Sequence, residues 1–159
     1  MNSLKVSAIF RYPVKSLAGQ SYQTLTVDSR GFLHDRRWML IDAQGNKLTQ
    51  REDARLAFLQ AEVLDQTLRI TDRRDQTFTE VPLNASGTGI VVDVWGTSCE
   101  TELVSPEADV WLSTRLEQPV RLVHQPDVAM RKIDPRYASE GEKVSLADGY
   151  PFLLANENS

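Results

Sequence analysis

Lys15 and Ser16 stand side by side in the stretch FRYPVKSLAG, just past Pro13. Further on, the arginine pair Arg36-Arg37 follows a turn and precedes Trp38, Leu40 and Ile41. These residue types suit an oxyanion. Arginine makes forked, charge-assisted hydrogen bonds to phosphate oxygens, lysine adds a compact charge, and serine adds a neutral donor. Proline has no N–H for a strand ladder, so Pro13 ends the alternating apolar stretch 4–10 and frees the next side chains to turn elsewhere. If two such strand ends converge at one rim, Lys15, Ser16 and Arg36 gather around one phosphate. The plainer alternative is that Lys15 and Arg36 are strand-end charges and that Arg36 pairs with Asp35 or another carboxylate.

The elements that must position these groups are short and strand-like. After residues 4–10 come runs at 22–27, 37–41, 47–50, 58–63, 67–71, 77–81, 90–94, 98–104 and 120–124. Turn residues separate them about every ten positions, the spacing of a barrel or sandwich. The segments WMLIDAQGNKLTQ and TLRITDRRDQTFTEV read as hairpins. One helix is expected over 105–116. Ser105 can cap it, Pro106 suits its first position, Glu107 meets the positive end of its dipole, and Ala108, Trp111, Leu112 and Leu116 share a core-facing stripe. The expected fold is therefore mainly β, a small β-barrel with one clear α-helix and a long polar surface loop over 127–143. A final apolar run, 152–155, reads as a strand buried on both faces.

Composition narrows the function. The 159 residues carry a net charge of −4, which does not favour a nucleic-acid binder. Nine Lys/Arg face five Asp/Glu in residues 1–55, against nine and seventeen afterwards, so an anion site belongs in the first third. No apolar run reaches membrane-spanning length, and residues 1–10 lack the pattern of a signal peptide. The one cysteine, Cys99, fits a reducing compartment, and the cytoplasm is the expected location. Two histidines and one cysteine make no ligand cluster at a usual spacing. His34 reads as a solvated turn residue, His124 as a strand-end residue, and Cys99 as a small packing residue. No glycine-rich phosphate loop is present.

Four ordered motifs carry a family resemblance: YPVKS at 12–16, HDRRWMLIDAQGNKLTQRED at 34–53, VRLVH at 120–124 and VSLADGYPFLLAN at 144–156. They resemble the N-terminal β-barrel domain of MOSC proteins, which include the mitochondrial amidoxime-reducing component and molybdenum cofactor sulfurase. Asp35-Arg36-Arg37-Trp38 satisfies that family's D-R-x-W spelling. The resemblance implies that the barrel helps hold the molybdenum cofactor (molybdopterin) through its phosphate, with Lys15, Ser16 and Arg36 as contacts. Ala147, Asp148 and Gly149, in the A-D-G-Y-P turn, are implied to lie near the cofactor.

In such relatives the metal is held by a cysteine of a C-terminal MOSC domain, a position that Cys99 does not match. By the resemblance, residues 1–143 are the N-terminal barrel domain and 144–159 begin the connection into that second domain. The chain alone is then expected to bind no stoichiometric molybdenum, and no catalytic residue is assigned to it. The parent would be an oxidoreductase acting on N-hydroxylated compounds or a sulfur carrier. Its partners would be the C-terminal MOSC domain and an electron-transfer protein, with neither nucleic acid nor membrane. The rival is a stand-alone barrel that binds a partner protein or small anion without catalysis. An oligonucleotide-binding barrel is disfavoured by the acidic charge and by the lack of aromatics interleaved with basic residues.

Overall fold

A computed structural model describes residues 5–134, 136 and 138–157. Among them the strands are β1 (Ile9–Arg11), β2 (Gln20–Tyr22), β3 (Val27–Asp28), β4 (Gly31–Phe32), β5 (Trp38–Asp42), β6 (Leu59–Val63), β7 (Thr67–Asp72) and β8 (Phe78–Pro82). They continue as β9 (Gly89–Val94), β10 (Thr97–Leu103), β11 (Val120–His124), β12 (Arg131–Lys132) and β13 (Lys143–Val144). One helix, α1, covers Pro106–Leu116, and a 3-10 turn at Ala54–Phe58 leads into β6.

Two antiparallel sheets form the body. One has the order β5-β11-β10-β9 and the other is the meander β6-β7-β8. They are joined by the stretch after Pro13: Val14 makes a parallel bridge with Trp38 of β5, and Ala18 makes one with Gln60 of β6. The Ala18 N–H donates to Leu59, and the Ala61 N–H donates back to Ala18, both at 2.9 Å. The result is a curled half-barrel, with α1 packed on both β11 and β8.

Side-chain alternation sets the core. In β7, Leu68 and Ile70 point inward while Arg69 lies outward and pairs with Glu80 across the ladder at 2.8 Å. Strand β5 is buried on both faces. Trp38 and Leu40 join the main cluster with Leu56, Leu112 and Leu122; Met39 and Ile41 join a second one with Val92, Cys99 and Val123. The helix forms as its sequence indicates. Ser105 Oγ accepts from the Ala108 N–H at 3.1 Å, and the helix ends at Glu117, whose φ is 51°. Ala108, Leu112 and Leu116 are fully buried, and Trp111 packs at the edge of the same cluster.

Several expectations are corrected. The first strand is only Ile9–Arg11, because its partner β2 offers three residues; Val6 is 77% exposed, and Leu4 lies outside the described residues. The run 22–27 divides into β2 and β3. Of 47–50 only Lys47 bridges to Ile41, so that hairpin is one-sided beyond its turn. The loop 127–143 is not merely surface. It contains β12, which pairs with β13, and the buried residues Ala129, Arg131 and Ile133; Pro135 lies outside the described residues. Residues 152–155 form no strand: Leu153 and Leu154 are 87% and 93% exposed, and only Phe152 rests edge-on against Phe32. Consecutive apolar residues need cover on both faces to act as a buried strand, and here only Phe152 is partly covered.

Two substitutions measure how α1 holds the half-barrel closed. Leu112→Ala should lower stability by about 2–5 kcal/mol through the cavity it leaves. Ser105→Ala should lower it by about 1 kcal/mol through loss of the cap. Urea unfolding should show reduced midpoints with an unchanged slope for both variants.

Candidate functional site

The parallel bridge that joins the sheets also brings the two cationic stretches together. The Lys15 N–H donates to the Trp38 carbonyl at 2.8 Å, the Trp38 N–H to Pro13 at 3.2 Å, and the Arg36 N–H to Tyr12 at 2.8 Å. Pro13 thus ends the β1–β2 ladder, and its carbonyl starts a different pairing. Lys15 and Arg36 are carried on adjacent segments of one rim.

The Lys15 side chain is only 7% exposed, and its ammonium pairs with Asp148, whose carboxylate is 68% exposed. Asp148 Oδ1 also accepts from Trp95 Nε1 at 2.9 Å. Burial pushes the Lys15 pKa down, and the nearby Arg131 and Arg36 charges push it the same way, against the pull of Asp148. Arg36 has a left-handed backbone, φ 47°, and its guanidinium pairs with the buried Asp35 and reaches the Pro151 carbonyl at 3.5 Å. Asp35 in turn accepts from the Tyr12 N–H at 2.8 Å. Burial raises the Asp35 pKa, and Arg36 opposes that rise.

A cation not singled out in the sequence organises the opposite side of the rim. Arg131 is buried and donates to the carbonyls of Ser145 and Asp148, both at 3.0 Å, and to that of Ala147. It thereby shapes the A-D-G turn that meets Lys15. One arginine inside a polar stretch gives no sequence signal of burial, so nothing marked it in advance.

The remaining candidates divide. Ser16, φ 66°, is beside Lys15, and its carbonyl accepts from Gln50 Nε2 at 2.8 Å. Ala147 is buried with its carbonyl on Arg131. Gly149 lies in the same turn, where an added Cβ would meet open space, so no close approach requires glycine there. Lys15, Arg36 and Arg131 outnumber the carboxylates Asp35 and Asp148, and Arg131 Nε is buried without an acceptor among the described residues. Such a donor set fits an oxyanion and offers no metal ligands. Among the described residues no group of three or more His, Cys, Asp and Glu could hold a metal ion. Cys99 is buried in β10, where burial raises its thiol pKa, consistent with a packing role.

Of the histidines, His124 ends β11 as expected, and His34 departs from expectation. His34 is half-buried rather than solvated, with φ 66°, and its ring lies 6.2 Å from Trp38. The His124 ring lies 4.8 Å from that of Trp38. Burial, reinforced by the Arg37 charge, lowers the His124 pKa from 6.5 to about 4.

With this geometry in view, residues 3–119 match the family described as the MOSC N-terminal beta barrel domain. The chain belongs to that family. It is 29% identical over 169 residues to mitochondrial amidoxime-reducing component 1 of Xenopus laevis, covering 97% of this chain and 48% of that one. It is 27% identical over 163 residues to molybdenum cofactor sulfurase of Homo sapiens, covering 97% and 18%. A sulfurase of Solanum lycopersicum is 25% identical over 166 residues, covering 97% and 20%. A solution structure from Bordetella bronchiseptica superposes over 66% of this chain and 90% of that one, with a TM-score of 0.49 and 16% identity. The MOSC N-terminal chain therefore spans less than half the length of the curated relatives it matches. No helix among its described residues is long and apolar enough to cross a membrane.

Half-buried His124 sets a pH dependence for the MOSC N-terminal domain. Unfolded His124 takes a proton near 6.5, whereas folded His124 resists until about 4. Between those values the unfolded chain binds more protons, so stability falls as pH drops through this window. The urea midpoint should be lower at about pH 5 than at about pH 7, and the difference should shrink in His124→Gln.

Proposed function

We propose that this chain is the phosphate-holding half of a molybdenum-cofactor site, with Lys15, Ser16 and Arg36 as the groups that take the phosphate of molybdopterin. The observation that carries the reading is the Lys15 ammonium: nearly buried, flanked by Arg36 and Arg131, and balanced chiefly by one exposed carboxylate, Asp148. A phosphate oxygen that replaced Asp148 would gain a desolvated cation and the Arg36 fork together. Ala147, Asp148 and Gly149 then border the ligand as part of the turn that Arg131 fixes.

The cofactor, when bound, supplies oxygen-atom or sulfur chemistry at molybdenum. This chain's residues bind and orient its phosphate end. A C-terminal MOSC domain would supply the metal thiolate, and the parent would be a reductase of N-hydroxylated compounds served by an electron-transfer partner, or a sulfur carrier. The names of the relatives support the class of protein; the choice between the two activities is left to assay. A second reading, a stand-alone module without catalysis that binds a partner protein rather than a small anion, draws on the closed ion pairs Lys15–Asp148 and Arg36–Asp35, which neutralise the rim internally.

Calorimetric titration of the purified chain with inorganic phosphate separates the two. Saturable binding is expected. Arg36→Ala should weaken it at least about tenfold, since a charge-assisted bond contributes about 1.5–3 kcal/mol. Asp148→Asn should strengthen it by removing the competing carboxylate while keeping an acceptor for Trp95. Absence of binding in both the parent chain and Asp148→Asn favours the internally neutralised module. In a polypeptide that joins this chain to a C-terminal MOSC domain, Arg36→Ala should lower pterin content measured by fluorescence. Elemental analysis of the chain alone should find far less than one molybdenum per chain.

A further inference from the structure

Arg37, the neighbour of the rim arginine, faces a second polar hollow. It encloses about 320 Å³ and is lined by Arg30, His34, Arg37, Trp38 and His124, with Leu33 and Leu83 adding apolar surface. Arg30 is 6% exposed, and among the described residues its guanidinium donates only to uncharged acceptors. These are Gln125 Oε1 at 3.2 Å and the carbonyls of Pro126 at 3.5 Å, Asp127 at 2.6 Å and Ala129 at 2.7 Å. A buried cation whose contacts are only carbonyl dipoles leaves local positive potential. The two carboxylates at the hollow are already committed. Asp28 accepts from the Arg30 backbone N–H at 2.7 Å, and Asp127 takes the Arg37 guanidinium at 2.8 Å.

Of the five buried side-chain nitrogens without an acceptor among the described residues, two lie here: Arg37 Nε in the lining, and behind it Nε2 of the fully buried Gln125, which touches Arg30. Buried donors are ordinarily satisfied, so orphans beside a hollow indicate a missing acceptor. Burial lowers the pKa of both imidazoles, which favours the neutral ring with one N–H to donate. Backbone strain points the same way. His34 holds a left-handed φ of 66°, a conformation that persists in non-glycine residues only where surroundings impose it.

We propose that this hollow binds the carboxylate of a small organic acid with a compact apolar body. A carboxylate offers about four lone-pair sites, enough for the unused donors of Arg37 and the imidazoles. Its single charge balances the cations Arg30, Arg37 and Lys143 against the carboxylates Asp28 and Asp127, whereas a dianion would exceed that balance. The volume exceeds that of a lone oxyanion, and Trp38, Leu33 and Leu83 give the remaining space an apolar lining.

The sequence contains only two histidines, so their ring signals report this hollow directly by NMR. Benzoate is the probe, with acetate and inorganic phosphate as comparators. Benzoate should shift both sets of ring signals and saturate in or below the range of about 10 mM. Leu83→Trp, which fills the hollow without changing charge, should weaken binding at least about tenfold. His34→Asn should do the same while remaining foldable, because asparagine tolerates positive φ; it carries the comparison if the tryptophan variant fails to fold. Ring signals that benzoate does not move, or that acetate or phosphate moves equally well, would overturn the assignment. So would unweakened benzoate binding in a folded Leu83→Trp or His34→Asn.

Discussion

The half-barrel depends on one short segment, two single-residue bridges with a turn between them. Residues 13–18 bridge in parallel to β5 at Trp38 and to β6 at Gln60, and through these contacts two otherwise separate antiparallel sheets share one wall. A segment of this kind needs a free edge on each sheet. β5 and β6 are edge strands of their sheets, so their unpaired backbone groups accept it. Pro13 suits the start of the segment because its missing N–H ends the first ladder while its carbonyl remains available to Trp38. Val14 and Leu17 then enter the main core, which anchors the segment from the inside.

The same join decides where charge goes. Because Lys15 and Arg36 flank the bridge, closing the two sheets brings these cations together at one rim. Their carboxylates, Asp148 and Asp35, differ sharply in exposure, so the Lys15 pair opens to solvent on one side while the Arg36 pair includes a buried carboxylate. The left-handed backbone at Arg36 lets the next residue, Arg37, point toward residues 125–127 on another side of Trp38. Two consecutive arginines thus serve two separate polar surroundings, and the buried β5 between the core clusters keeps them apart.

Local patterns in the sequence determined much of this molecule. Period-two alternation located β6 to β11 within one or two residues, because each pairs with a neighbour close in the chain or has both faces covered. Ser105, Pro106 and the Ala108–Leu112–Leu116 stripe defined the helix, because capping and amphipathic spacing act within a few residues. The ordered motifs announced the family, which the match over residues 3–119 bears out.

Tertiary structure alone decided the rest. Partner length trimmed β1 to three residues, and lack of cover left residues 152–155 without a strand. Burial of Arg131 turned part of a polar loop into the support of the rim, and contact with Trp38 turned two unremarkable histidines into desolvated rings. None of these has a local signature. Each depends on which distant backbone group or ring lies within a few ångströms, and residue types and spacings cannot state that before the two sheets have closed around residues 13–18.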